Sequence, residues 1–229
     1  MMFRLDERLA LCAEFVREGV RLADVGTDHA YLPVWLACNG KIRSAVACDV
    51  RPKPLENAKA NIEKYNVGNI VSTALSDGLD EISPDLADDI VFAGMGGELI
   101  TKIIMRTQWL YNGDKRLILQ PMSRSESLRL FLCENGFHIQ QEKACISANK
   151  SYSVMLCCYD GIKRTCTDIF KYIGLLENDD SFESKRYIYF INEKLKKKLN
   201  GFERGSAEYA QLHEIVSKLD TLSKGVSLW

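Results

Sequence analysis

Residues 20–33 read VRLADVGTDHAYLP, and this stretch decides the fold of the chain. The apolar run Val20–Val25 predicts a buried strand, and Gly26 follows it at the point where the chain must turn. Leu32–Cys38 then has the apolar residues of a helix that packs back on that strand. A strand, a short loop and a helix in this order form the first unit of a fold in which strands and helices alternate.

The alternation continues to about residue 160. Periodicity predicts further strands over Ser44–Val50, Asn69–Leu75, Asp89–Ala93 and Arg116–Leu119. It predicts helices over Asp6–Val16, Pro54–Tyr65, Glu98–Arg106 and Ser125–Glu134. Two strands, Phe137–Ile146 and Tyr152–Tyr159, follow each other with no helix between them and must pair as a hairpin. The sequence therefore predicts an α/β fold, a Rossmann-like seven-stranded, mostly parallel sheet with an antiparallel edge strand.

The pattern changes after residue 160, where two long amphipathic segments replace the alternation. Ser184–Asn200 and Glu208–Lys224 each carry an apolar stripe at helical spacing, and Gly201–Ser206 separates them. They predict a C-terminal α-helical hairpin whose stripes form a shared core. We therefore expect two domains: a ligand-binding α/β domain over residues 1–160 and a helical, coiled-coil-like domain over residues 161–229.

The composition is that of a soluble globular protein, with 46% hydrophobic and 27% charged residues. No apolar run reaches the length that spans a bilayer, and the first residues lack the apolar core of a secretory signal. We therefore expect a cytoplasmic protein with no membrane partner. The net charge is −1, but seven basic and only two acidic residues lie from Lys185 to Arg204, which indicates a local basic stripe.

The eight cysteines and three histidines do not form a metal-binding pattern. No C-x-x-C pair is present, and most cysteines lie inside apolar runs, where a reduced cysteine behaves as a small hydrophobic residue. The histidines are scattered along the chain. The sequence therefore predicts free thiols and no metal.

The loop after the first strand carries one glycine between two acids, Asp24 and Asp28. In open parallel sheets, ligands bind beyond the carboxyl ends of the strands, so this loop is a candidate binding site. A dinucleotide site has the pattern G-x-G-x-x-G, which brings bare backbone to a pyrophosphate, and two carboxylates would repel that group. They suit a ligand that carries positive charge, such as the sulfonium and ammonium groups of S-adenosylmethionine. The loop therefore favours S-adenosylmethionine over NAD.

Acids also stand at the ends of the next two strands. An acid at the position of Asp49 can accept hydrogen bonds from both hydroxyls of a ribose. Asp77 can reach the amino group of an adenine, while Gly78 lets the ring lie against backbone. Further along, the turn Ala93-Gly-Met-Gly-Gly97 implies a close approach of backbone to a ligand, and Gln120 ends the fifth strand at the same edge.

Several of these stretches together resemble the bacterial tRNA (adenine-22-N1)-methyltransferase family. The matching stretches are Leu5-Asp6-x-Arg8-Leu9, Asp24-Val-Gly-Thr-Asp-His-Ala-Tyr-Leu-Pro33, Asp77-Gly-Leu79, Ala93-Gly-Met-Gly-Gly97 and Leu117-Ile-Leu-Gln-Pro121. The resemblance continues through Leu128-Arg129, Asn135-Gly-Phe137, Glu142 and Lys150-x-Tyr152 into the helical tail. The chain departs from the family pattern at Lys53, where glycine is usual, and at Met122, where asparagine is usual.

The resemblance implies an enzyme that transfers a methyl group from S-adenosylmethionine to N1 of an adenine in tRNA. N1 of neutral adenine holds a free lone pair, so the enzyme must mainly align the reacting atoms and exclude water. The base must be unpaired and turned out of the stack, and a carboxylate nearby would stabilise the positive charge of the product. We expect Asp28 to be that catalytic carboxylate, and the alternative is that Asp28 caps the following helix.

The expected site residues follow from these loops. The cofactor-binding residues are Asp24, Gly26, His29, Asp49, Asp77, Gly78, Ala93, Gly94 and Met95. The substrate-binding residues are Tyr31, Gln120 and Pro121, with Lys196, Lys197 and Lys198 of the basic stripe holding tRNA. Two alternatives stay open: a methyltransferase of the same fold that acts on a small molecule or a protein, and a non-catalytic RNA-binding adaptor.

Overall fold

Seven strands form one sheet in the computed structural model, which describes residues 3–224. They are β1 (Val20–Val25), β2 (Ile42–Asp49), β3 (Val71–Leu75), β4 (Asp89–Gly96), β5 (Arg116–Ser123), β6 (Phe137–Ser147) and β7 (Lys150–Tyr159). Their order across the sheet is β3-β2-β1-β4-β5-β7-β6. Neighbours from β3 through β5 pair in parallel, and β7 pairs antiparallel with both β5 and β6. The predicted Rossmann-like sheet with antiparallel pairing at one edge is confirmed.

The hairpin folds so that its second strand lies inside the sheet. A continuous run of β7, Ser153–Cys157, is buried, whereas buried and exposed residues alternate along much of β6. A strand covered on both faces belongs inside a sheet, and an alternating strand suits a position with one face in solvent. The burial pattern therefore explains why β7 pairs with β5 and β6 forms the edge.

Helices cover both faces of the sheet. They are α1 (Glu7–Phe15), α2 (Tyr31–Cys38), α3 (Pro52–Lys64), α4 (Gly97–Arg106), α5 (Ser125–Glu134), α6 (Asp168–Ile173), α7 (Phe182–Leu199) and α8 (Ala207–Leu222). The apolar residues of α1, α2 and α3 form one core with the sheet, and those of α4 and α5 form a second core on the opposite face. The short helix α6 was not predicted from the sequence.

Helices α7 and α8 form the predicted C-terminal hairpin around a third apolar core. Arg129 of α5 and Glu142 of β6 form a buried ion pair in which both side chains are fully buried, and Nη2 of Arg129 also donates to the hydroxyl oxygen of Tyr187 on α7 at 3.3 Å. The Arg129 guanidinium donates to the backbone oxygen of Tyr172 at 2.9 Å, and Glu142 Oε2 accepts the N–H of Leu175 at 3.1 Å. Contacts of this kind cross the predicted boundary at residue 160, and the division into two domains stays a prediction.

The ends of both predicted domains, residues 1–2 and 225–229, lie outside the described residues. Within the part that is described, no helix combines the length and the apolar character needed to cross a membrane.

Candidate active site

Two adjoining pockets lie at the carboxyl ends of the central strands. The order of the sheet reverses between β1 and β4, and this switch point is where ligands bind in open α/β sheets. We call the first cavity, of about 330 Å³, the β1-loop pocket; its lining includes Arg8, Asp24, Thr27, Asp28, His29, Tyr31 and Ala93. We call the second, of about 350 Å³, the β2–β3 pocket; its lining includes Asp49, Arg51, Asp77, Gly78 and Met95. Gly26 and Gly94 line both, so the two pockets form one continuous cleft.

Glycines at the junction bring the backbone into the cleft. Gly26 and Gly94 have φ values of +76° and +81°, a region that favours glycine. A Cβ atom on Gly26 would lie 2.9 Å from Sδ of Met95, so a side chain there would displace Met95. Gly94 donates its N–H to Oε1 of Gln120 at 2.9 Å, which holds the end of β4 against β5. The backbone of both glycines therefore lines the cleft, and a close approach of the Ala93–Gly97 turn to a ligand stays a prediction.

Asp24 is the buried acid of the β1-loop pocket, only 6% exposed. Burial raises the pKa of Asp24 to about 6, and a hydrogen bond from the Thr27 side chain offsets part of that rise. Oγ1 of Thr27 in turn accepts the N–H of Ala30 at 3.0 Å. Thr27 therefore holds the loop in shape beside a carboxylate that gains stability from a cationic ligand.

The acids after β2 and β3 lie in different surroundings. Asp49 is 8% exposed, and its Oδ1 accepts the backbone N–H of Arg51 at 2.8 Å. Asp77 is more than half exposed, and its Oδ1 lies 2.7 Å from Nη2 of Arg106. Arg106 comes from α4 and was missed by the sequence analysis because nothing near Asp77 in the chain points to it. Gly78 packs against that helix, since a Cβ there would lie 2.7 Å from Cγ2 of Ile103.

Asp28 stands at the rim of the β1-loop pocket, with its side chain 71% exposed. Its Oδ2 lies 3.3 Å from Nε2 of His29, and the His29 ring stacks on Tyr31 with centroids 5.0 Å apart. Helix α2 has Ala30 at its N-cap position and no side-chain capping hydrogen bond. The alternative role of Asp28 as the cap of that helix is therefore wrong, and its exposed carboxylate is part of the pocket lining.

Gln120 is fully buried beneath the cleft and contacts it only indirectly, through residues that line it. Its Oε1 accepts hydrogen bonds from Gly94 and from Nη1 of Arg8, the latter at 3.2 Å. Arg8 also pairs with Asp6 at 2.7 Å. The sequence analysis did not assign Arg8 to the site, although the stretch Leu5–Leu9 carried part of the family resemblance. That stretch was the signal from which Arg8 could have been assigned to the site.

The remaining predicted residues lie away from the cleft. Pro121 is buried at the end of β5 and lines a separate cavity next to α7. Lys196, Lys197 and Lys198 follow each other on α7, and none of them lines either pocket of the cleft. Lys196 is paired with Asp220 at 2.7 Å and with Glu193 at 3.0 Å, so its charge is largely compensated within the helical hairpin. Lys197 and Lys198 are exposed.

No group of three or more His, Cys, Asp or Glu side chains that would suit a metal ion occurs among residues 3–224.

Comparison with known proteins agrees with this geometry. A family model described as a methyltransferase domain matches residues 5–155. The tRNA (adenine(22)-N(1))-methyltransferase of Bacillus subtilis (strain 168) is 34% identical over 166 residues, which is 69% of this chain and 70% of that protein. A similar solved structure is that of a Streptococcus pneumoniae protein assigned as a tRNA (m1A22) methyltransferase, in complex with S-adenosyl-L-methionine. It is 30% identical to this chain with a TM-score of 0.84, and the match covers 96% of this chain and all of that one. The B. subtilis M1A22 tRNA methyltransferase structure is 26% identical with a TM-score of 0.83, over 96% of this chain and 99% of that one.

Proposed function

The chain belongs to the tRNA (adenine(22)-N(1))-methyltransferase family, and from this membership we propose that it methylates N1 of adenine 22 in tRNA with S-adenosylmethionine as methyl donor. The observation that carries the proposal is the continuous cleft, in which Asp24, Asp28 and Asp49 surround a glycine-lined junction. This donor set suits a cofactor with an ammonium, a ribose and a sulfonium. When bound, S-adenosylmethionine supplies an electrophilic methyl group.

The transfer itself is tested with labelled S-adenosylmethionine and an unmodified tRNA transcript. Nuclease digestion and mass spectrometry then locate the methyl group. We expect the label on N1 of adenine 22. Label at another nucleotide, or none with a protein that binds the cofactor, would contradict the proposal.

We assign the cofactor's two ends to the two pockets. In the β2–β3 pocket, Asp49 suits the ribose hydroxyls, and Asp77 with Gly78 suits the adenine. In the β1-loop pocket, the buried carboxylate of Asp24 suits the ammonium of the methionine end. The junction at Gly26 and Gly94 then lies between the two ends, which puts the sulfonium near the backbone of both glycines.

The target adenine enters from the open side of the β1-loop pocket. Asp28, His29 and Tyr31 are assigned to that rim, and Arg8 belongs to the same lining. No base is required to activate N1, because its lone pair is free in the neutral ring. What the residues supply is alignment and charge: we assign Asp28 to the amino group of the adenine, where its carboxylate also stabilises the positive charge of the product. Because the substrate is tRNA, we also expect the protein to act in the cytoplasm.

Replacing Asp49 with Ala is expected to weaken binding of S-adenosylhomocysteine by about 1–3 kcal/mol, because charged hydrogen bonds to the ribose are lost. Isothermal titration calorimetry measures the effect directly. Glu63→Ala, which removes an exposed carboxylate from the far end of α3, is the matched control. An unchanged affinity in the Asp49 variant would remove Asp49 from the ribose site.

Cofactor affinity is expected to rise as the pH increases from 5 to 7. The pKa of Asp24 is about 6, the cofactor's ammonium stays protonated over this range, and only the ionised carboxylate attracts it. The dissociation constant should therefore fall roughly tenfold across the two pH units. Calorimetry at each pH checks this, and Asp24→Asn should bind more weakly with a flatter profile. Because His29 and Asp6 also line the pocket, the decisive result is the difference between the two proteins: an equally steep profile in the variant would assign the titration to another group.

A further inference from the structure

A third cavity, of about 540 Å³, lies beside the cleft and has no role in the function proposed so far. It runs between the carboxyl end of β5 and helix α7, and we call it the β5–α7 groove. Its walls include Pro121 and Met122 from the sheet, Tyr152 from β7, and Phe190 and Lys194 from α7. The groove thus joins the α/β part of the chain to the helical hairpin.

The groove is basic. Its charged lining residues are Arg124, Glu126, Lys150, Lys194 and Lys198. Arg124 lies 3.5 Å from Glu98 and 3.7 Å from Glu126, so acids compensate its charge. Within residues 3–224, by contrast, Lys150, Lys194 and Lys198 form no ion pair, and all three are exposed. Three uncompensated ammonium groups around one cavity favour an anionic ligand.

An exposed aromatic ring lies among these cations. Phe190 is 40% exposed on α7 and lines the groove. Nζ of Lys194 lies 4.5 Å from the centroid of the ring. Exposed aromatic rings next to basic side chains are the surfaces on which unpaired bases stack while their phosphates meet the cations.

The groove also adjoins the pocket assigned to the target base. Arg8 lines the β1-loop pocket, and its guanidinium lies 5.4 Å from the ring centroid of Tyr152. Nη1 of Arg8 lies 3.6 Å from Sδ of Met122. Tyr152 and Met122 both line the groove, so Arg8 connects the two cavities.

We propose that the β5–α7 groove binds an unpaired stretch of the substrate RNA next to the methylated adenine. Phe190 stacks on a base of this stretch, and Lys150, Lys194 and Lys198 contact its phosphates. The proposal rests on the proposed function, because an adenine that is turned out for attack at N1 has neighbours whose stacking is interrupted. A duplex would present phosphates to the lysines but no base face to Phe190.

Phe190→Leu tests the stacking. The full-length protein is titrated into a labelled, unmodified tRNA transcript, and fluorescence anisotropy gives the dissociation constant. We expect it to rise by about tenfold, the scale of losing one base–aromatic contact, and we expect Phe190→Trp to restore binding. Phe182→Leu is the matched control, because Phe182 is an exposed phenylalanine at the first residue of α7. This variant should bind like the unchanged protein. Affinity for S-adenosylhomocysteine and the melting temperature should not change in any of the three.

Lys198→Ala tests the phosphate contacts. The slope of log affinity against log salt concentration should become shallower by about 0.7–0.9, the effect of one lost phosphate contact. Lys59→Ala, which removes an exposed charge from α3, should leave the slope unchanged.

The outcomes separate the groove from the proposed function. If Phe190→Leu binds as tightly as the unchanged protein, the stacking proposal is overturned, and a weaker Lys198→Ala then indicates that the groove meets only the RNA backbone. If neither variant weakens binding, the groove is no RNA site. A protein that binds tRNA through Phe190 but places no methyl group on adenine 22 would overturn the proposed function and leave the groove standing.

Discussion

Asp28→Asn is expected to lower the rate of methyl transfer by a factor on the order of 10² or more, with cofactor affinity and melting temperature little changed. The substitution keeps the size of the side chain and removes its charge. Asp28 is largely exposed in the cleft without substrate, but an adenine seated at the rim excludes water from it and strengthens its interaction with charge on the ring. The stabilisation is therefore largest in the transition state, where the rate is decided.

Single-turnover methylation with saturating tRNA and cofactor measures this effect apart from binding. Glu63→Gln is the control, since it removes an exposed carboxylate at the far end of α3. Because Asp28 does not cap α2, the variant should fold normally, and a thermal melt verifies that. A near-normal single-turnover rate in a folded Asp28→Asn protein would show that Asp28 is not catalytic.

Arg129→Met is expected to destabilise the protein by about 3–5 kcal/mol, because the substitution leaves Glu142 buried without its partner. The backbone oxygens of Lys171 and Tyr172 lose their donor as well. Urea unfolding followed by circular dichroism measures the loss. Lys218→Met, which breaks an exposed ion pair with Glu214 on α8, is the control and should cost at most about 1 kcal/mol.

A double variant separates the ion pair from its backbone partners. Arg129→Met combined with Glu142→Leu removes both charges, so it should recover part of the stability lost in Arg129→Met alone. Full recovery is not expected, since the N–H of Leu175 and the oxygen of Tyr172 stay unpaired. If Arg129→Met costs no more than Lys218→Met, the buried ion pair stabilises the protein no more than an exposed one does.

Periodicity was sufficient to predict most elements. The predicted bounds of β1 and α5 agree with the structure, and those of α3 and α4 agree within two residues. These segments have regular apolar spacing and clear ends, such as the proline at the start of α3 and Asn135-Gly136 after α5. Helix α6 was missed because its six residues are too few to show a period.

The candidate site was predictable in one part and not in another. Asp24, Asp49, Asp77 and Gly94 lie at or near the carboxyl ends of their strands, so a rule about strand ends finds them all. Arg8 of α1 lines the same cleft and Arg106 of α4 pairs with Asp77 in its lining, and no local pattern marks an arginine as belonging to a distant loop. Arg8 and Gln120 are 112 residues apart in the chain and 3.2 Å apart in the fold.

The sequence by itself determined the alternation of strands and helices, the acids at the strand ends, and the family to which the chain belongs. The alternation and the acids at the strand ends depend on spacing between neighbours, which is written directly in the chain, and the family follows from the resemblance of its motifs. Only the tertiary structure decided that Lys196 is paired while Lys198 opens into a groove, that Arg129 is buried against Glu142, and that Asp24 is buried and has a raised pKa. The reason is that charge compensation and burial depend on which distant segments meet, and periodicity holds no information about that.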